Sequence, residues 1–248
     1  MISRMCVWLA LVSPVAWAQA PSLASVDASA STLETTTGVD ITQQVAELMG
    51  VVGLADQARH ISQAVLNEQQ ASLGDQYRVV NLVAAQWSPQ HLQQLWQQAM
   101  PALADEQAQQ LLGQLQQLAW QQAKLRERQA IHEQGSAEYQ DYVGRLRLQS
   151  PPAERLALIN ELNQAMHFSE LMILTRTSVY QQLQQVLPQW QAPEAWQQGV
   201  KQQVREFLLY THRRTPNEQL QALTRLYQQP QLQQWLQRFV AELPQVSG

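Results

Sequence analysis

The sequence predicts an all-α fold: a multi-helix bundle of about nine to eleven helices in two related halves. Three observations carry that reading. Apolar residues recur three and four apart along nearly the whole chain, polar N-caps stand directly before prolines, and no stretch alternates like a strand bounded by turns. The final segment shows the period plainly. Leu232, Trp235, Leu236, Phe239, Val240 and Leu243 fall on one face, with Gln233, Gln234 and Gln237 on the other. Glutamine makes up roughly one residue in five, far above ordinary usage. Set between apolar residues at helical spacing, it reads as an uncharged, solvated helix face and not as a disordered tract.

Residues 1–18 have the layout of a secretory signal peptide. Arg4 supplies a positive start, 5–12 an apolar run too short to span a bilayer, and Ala16-Trp17-Ala18 a small-residue cleavage site. Cleavage is expected after Ala18, with a second, lower-ranked site after Ala20. Residues 19–38 are rich in Ala, Ser, Thr and Pro without an apolar period, and read as a flexible leader. The first helical half spans 39–134. Asp40 is placed to cap a helix reaching Met49, Gly50 and Gly53 interrupt it, and 54–67 resumes. Tyr77, Val80, Ala84 and Trp87 form the next stripe, in a stretch apolar enough to predict burial. Ser88-Pro89 then opens a helix that buries Leu92, Leu95, Trp96 and Ala99 and stops near Met100-Pro101. From Asp105 the pattern predicts one long helix to about Ile131, through Leu111, Leu112, Leu115, Leu118 and Ala119.

Residues 135–150 hold a bridge helix over 137–148, bracketed by Gly135-Ser136 and Ser150-Pro151-Pro152. The second half, 151–243, precedes a short tail at 244–248. It carries Leu156, Ile159, Leu162 and Met166, then a helix over 171–187 ended by Pro188. Pro193-Glu194 opens a helix with Trp196, Val200, Val204, Phe207 and Leu208 on one face. Thr215-Pro216-Asn217-Glu218 has the form of a capping box, followed by Leu220, Leu223, Leu226 and Tyr227. The last helix follows Pro230. Two pairs of patches suggest a duplication: 45–48 with 159–162, and the Ser88-Pro89 start with the Thr215-Pro216 start.

The run Thr215-Pro-Asn-Glu-Gln-Leu-Gln-Ala-Leu-Thr-Arg-Leu226-Tyr227-Gln-Gln-Pro230 resembles the domain of unknown function 2059 family of exported bacterial proteins. That family has a capped helix ending in Phe-Tyr-x-Ser-Pro-x-Gly. Tyr227 and Pro230 match it; Leu226 stands for the Phe, Gln229 for the Ser and Leu232 for the Gly. The resemblance covers about 155–243. It implies a helical fold in the periplasm, with Thr215, Glu218, Leu226, Tyr227 and Pro230 as motif residues of structural character, and it carries no activity. The structural reading makes Tyr227 and Pro230 a corner; the functional one would set them at a binding cleft.

Composition narrows the chemistry. Removing the signal, with one of the 16 basic residues and no acid, takes the net charge from −4 to −5, which argues against nucleic acid. The only cysteine, Cys6, lies inside the signal, so an exported chain would hold no thiol, disulfide or cysteine-bound metal. His60, His91, His132, His167 and His212 lack metal-ligand spacing; His132-Glu133 lacks the second histidine a zincin needs. No phosphate loop or nucleophile elbow occurs. No cofactor, metal or catalytic residue is therefore assigned. The basic clusters at Lys124, Arg126 and Arg128, and at His212, Arg213 and Arg214, are read as cations complementing helix C-termini, with an anionic lipid or peptidoglycan contact as the alternative. Among the tryptophans, Trp87, Trp96, Trp196 and Trp235 lie on apolar stripes and are expected in the core. Trp190, between Pro188 and Pro193, is the candidate exposed anchor. The reading that follows is a non-enzymatic periplasmic or secreted module that binds another envelope protein, or an apolar ligand between its halves. The alternative is a hydrolytic or other enzyme whose carboxylates or histidines converge only in the fold.

Overall fold

The computed structural model describes residues 44, 45, 48, 49, 53–100 and 105–243, so the signal peptide, the leader, the Asp40 cap and the tail lie outside the described residues. Every regular element among the described residues is helical. In chain order these are α1 (Gly53–Glu68), α2 (Leu73–Trp87), α3 (Pro89–Ala99), α4 (Asp105–Leu115), α5 (Leu118–Glu133), α6 (Ala137–Leu148), α7 (Ala153–Ala165), α8 (Phe168–Val186), α9 (Trp196–Thr211), α10 (Asn217–Tyr227) and α11 (Pro230–Glu242). The all-α multi-helix bundle is as the periodicity predicts. No described helix is long and apolar enough to cross a membrane.

Two long helices organise the packing. α8 lies against α1, α2, α7 and α9, while α9 also meets α5 and α6. α10 packs on α7 and α5, and α11 returns to α3. At that last contact Trp96 and Trp235 stack at 4.4 Å, and Phe239 meets Trp96 edge-on at 5.1 Å. The Trp235 indole N–H donates to the Trp96 carbonyl at 3.1 Å. Such ring pairs add about 0.5–1.5 kcal/mol beyond the area they bury. Of the paired patches, 45–48 is described only at Val45 and Leu48.

Local chemistry sets the helix starts. Ser72, Ser88 and Ser136 each accept a hydrogen bond from the backbone N–H three residues on, capping α2, α3 and α6. Glutamine supplies a second device. Gln76, Gln121, Gln140 and Gln233 are each the fourth residue of their helix, and each amide donates back across the preceding turn. The acceptors are the carbonyls of Ala71, Leu115, Gln134 and Tyr227. Gln233 also donates to Ala165, so one side chain ties the ends of α7 and α10 to the start of α11. The expectation that Gln233 faces solvent is corrected accordingly. Carbonyls at helix ends lack intrahelical partners, and a side chain of this reach satisfies them.

Two helix expectations are revised. The single helix over 105–131 is broken between α4 and α5, at Gln116 and Gln117. Leu111 and Leu115 are buried in α4, but the next buried position is Trp120, a five-residue step that a continuous stripe cannot make. Leu118, placed on the stripe, is exposed. In α2 the inward face is Val79, Val83 and Trp87, at i, i+4 and i+8. Of the predicted stripe only Trp87 is buried; Tyr77, Val80 and Ala84 face outward. Both faces of this helix are apolar, so periodicity alone picked the wrong one.

Candidate functional site

The corner between α9 and α10 collects charge from α7 and α5. From α7, the Arg155 guanidinium donates to the Thr215 carbonyl at 2.9 Å, to Asn217 Oδ1 at 2.8 Å and to the His212 carbonyl. From α5, Arg126 Nη1 donates to Thr215 Oγ1 at 3.0 Å. His212 has 0% exposure, with Nδ1 3.4 Å from that hydroxyl. Burial, then Arg155, Arg126 and Lys124, push its imidazole down to about 3. His212 is therefore neutral, not one of the cations serving a helix C-terminus.

Thr215 does not cap α10 with its side chain. Its hydroxyl is engaged by Arg126, its own N–H donates to the His212 carbonyl at 2.8 Å, and Glu218 stays exposed. The helix starts at Asn217 after Pro216, with no side-chain cap. The box pattern in the sequence is overridden by a tertiary partner 89 residues away. Tyr227 is only 2% exposed, its ring 4.8 Å from Trp120 and beneath the Lys124 ammonium. Lys124 pairs with Glu127 at 2.8 Å; burial opposes its charge, but Glu127 and Tyr227 outweigh that and leave the ammonium raised. Leu226 is half-buried, and Pro230 opens α11.

Trp190 is not an exposed anchor. It is 8% exposed and packs edge-on against Tyr180 at 4.9 Å, a ring that Trp196 also meets at 5.2 Å. A turn from the Leu187 carbonyl to the Trp190 N–H folds the loop inward. Two flanking prolines signalled a loop but not its direction.

Beside the corner, α5, α6 and α9 share a polar network. Glu133 accepts from the Tyr210 hydroxyl at 2.6 Å, from Gln129 at 2.8 Å and from Arg213 at 3.5 Å. These donors, Tyr210 and Gln129 foremost, hold its carboxyl below the ordinary range. Arg213 lies 3.8 Å over the Tyr210 ring and also reaches Glu138 at 3.1 Å. This saturated network ties three helices together.

Next to it opens a cleft of about 170 Å³ lined by Arg126, Gln129, Thr211, Arg213 and Arg214. The two basic clusters, far apart in sequence, converge there because α9 packs on α5. Arg213 is paired, whereas Arg126 and Arg214 form no ion pair among the described residues. The Thr211 hydroxyl is buried and has no partner among the described residues. Nothing in the sequence singled out Thr211. Among the described residues no three His, Cys, Asp or Glu side chains group as metal ligands.

A different feature marks α2. Leu73, Tyr77 and Val80, at i, i+4 and i+7, are 84%, 71% and 42% exposed on one outward stripe. Comparison with protein-family models, curated proteins and solved structures finds no match to this chain.

Proposed function

We propose that this chain is an exported, non-enzymatic helical protein of the bacterial envelope that works by binding another protein. The outward stripe of α2 is its docking face. Solvent-exposed apolar residues in register along one helix carry this reading, because soluble surfaces rarely line up large apolar side chains without a partner. Tyr77 is an anchor of the type that dominates interface energetics. A partner offering an apolar helix face or groove fits a stripe two turns long. The described cleft, lined by arginine, glutamine and threonine, does not suit an apolar ligand, which favours a protein over the small-molecule form of this idea. The signal-peptide layout supports export, and the family resemblance supports the periplasm.

Affinity capture from envelope extract tests the proposal. Wild-type bait should begin at Gln19 and retain one stoichiometric protein partner. A Leu73→Asp, Tyr77→Asp bait of unchanged thermal stability should lose it. Equal recovery by both baits would remove α2 from the interface, and recovery of uncleaved bait in the membrane would contradict export.

A further inference from the structure

We propose that the cleft between α5 and the α9–α10 corner is a binding site for a phosphoryl dianion, held by Arg126 and Arg214 and hydrogen-bonded by Thr211. Two independent observations point to a ligand. The first is charge. Of the three guanidinium groups lining the cleft, Arg213 is matched by Glu133 and Glu138, while Arg126 and Arg214 face it without a carboxylate among the described residues. Two uncompensated forks call for a ligand of two negative charges, and guanidinium pairs with tetrahedral oxyanions through parallel N–H bonds.

The second observation is the Thr211 hydroxyl. Threonines in these helices return their hydroxyl proton to the carbonyl four residues back: Thr175 to Leu171, Thr177 to Ile173 and Thr224 to Leu220. Thr211 does not, although it too lies in a helix with a carbonyl at that distance. Its residue is 3% exposed and its Oγ1 has no partner among the described residues, a state that costs about 1–3 kcal/mol unless something fills it. Because Thr211 lines the cleft, a ligand oxygen there would accept the hydroxyl proton. The lining offers guanidinium, amide and hydroxyl donors, and the cleft of about 170 Å³ is several times what one water requires. Next door, His212 is kept neutral by burial first and then by Arg155, Arg126 and Lys124, which add positive charge around the corner. The cleft and the α2 stripe lie on different elements, so each can fail without the other.

A phosphoryl dianion can come from free phosphate, a soluble phosphate monoester or a lipid headgroup. The test uses inorganic phosphate, followed by calorimetry, and phosphatidylcholine vesicles with and without phosphatidic acid, followed by co-sedimentation, all at low salt. Arg214→Gln should weaken binding about tenfold, the loss of one charge-assisted pair. Thr211→Val, close in shape, should weaken it by a smaller factor, and Arg126→Gln combined with Arg214→Gln should abolish it. Arg128→Gln, an exposed arginine of α5 outside the cleft, should leave it unchanged. Thermal melts of each variant report folding separately. Binding of free phosphate with this pattern supports a soluble source; binding confined to phosphatidic acid vesicles with the same pattern supports a headgroup. No binding of either probe by folded wild-type protein overturns the proposal. So does an equal loss in Arg128→Gln and Arg214→Gln, which would mean diffuse surface charge.

Discussion

His212 is stripped of water by burial, and Arg155, Arg126 and Lys124 around it further disfavour taking up a proton. Its value in the folded chain is about 3, against 6.5 for an ordinary histidine. Above the ordinary value both states are neutral and the residue adds no pH dependence. As pH falls below it, the unfolded chain binds a proton that the folded chain refuses, so stability drops until pH approaches the folded value. The slope from this residue approaches about 1.4 kcal/mol per pH unit. Urea unfolding at pH 7.5 and pH 5 should therefore show a larger loss for the wild type than for His212→Gln. Equal losses would mean that the ring is charged or hydrated in the fold. The histidine was visible in the sequence, but its state was not. Arg-rich surroundings beside a helix end suggested a cation, and only the tertiary approach of α5 and α7 makes it neutral. Trp190 failed for a related reason: a loop position predicts access, and the aromatic side of Tyr180 removed it.

Helix existence was legible because two rules act locally. Hydrophobic spacing marks the buried face, and Ser-Pro marks a start, as at Ser88, where the cap and all four buried residues of α3 follow the pattern. Rules that depend on distant chain were not legible. The Thr215 box satisfies the local pattern, yet Arg126 takes the hydroxyl. In α2 two apolar faces compete, and the contacts with α1 and α8 choose between them. The α4–α5 break is an intermediate case: the five-residue step from Leu115 to Trp120 is in the sequence, masked by Leu118 lying between. Glutamine abundance also gains a local meaning at this level. A glutamine in the fourth helical position closes the preceding turn in α2, α5, α6 and α11. Gln233→Ala removes donors to two helix-end carbonyls and should cost about 1–2 kcal/mol. Exposed Gln234→Ala should stay within about 0.5 kcal/mol. Chemical denaturation of the two variants checks this, and equal effects would reduce Gln233 to a surface residue.

The assembled molecule brings together what the linear chain separates. Basic clusters around 126 and 213 become one cleft when α9 settles on α5, and the terminal helix α11 closes onto α3 through Trp96 and Trp235. Neither juxtaposition follows from periodicity, which fixes faces and not partners. The same assembly leaves the Leu73, Tyr77 and Val80 stripe pointing away from α1 and α8, and the proposed binding role rests on that outward direction. A photo-crosslinking amino acid at position 77, activated in living cells, tests it most directly, with the exposed position 122 on α5 as control. One discrete adduct with a separate envelope protein from position 77, absent from position 122 and lost on Leu73→Asp, is the predicted result. No adduct, the same adduct from both positions, or a crosslink from 77 into residues 19–38 of its own chain would contradict a partner-binding face on α2.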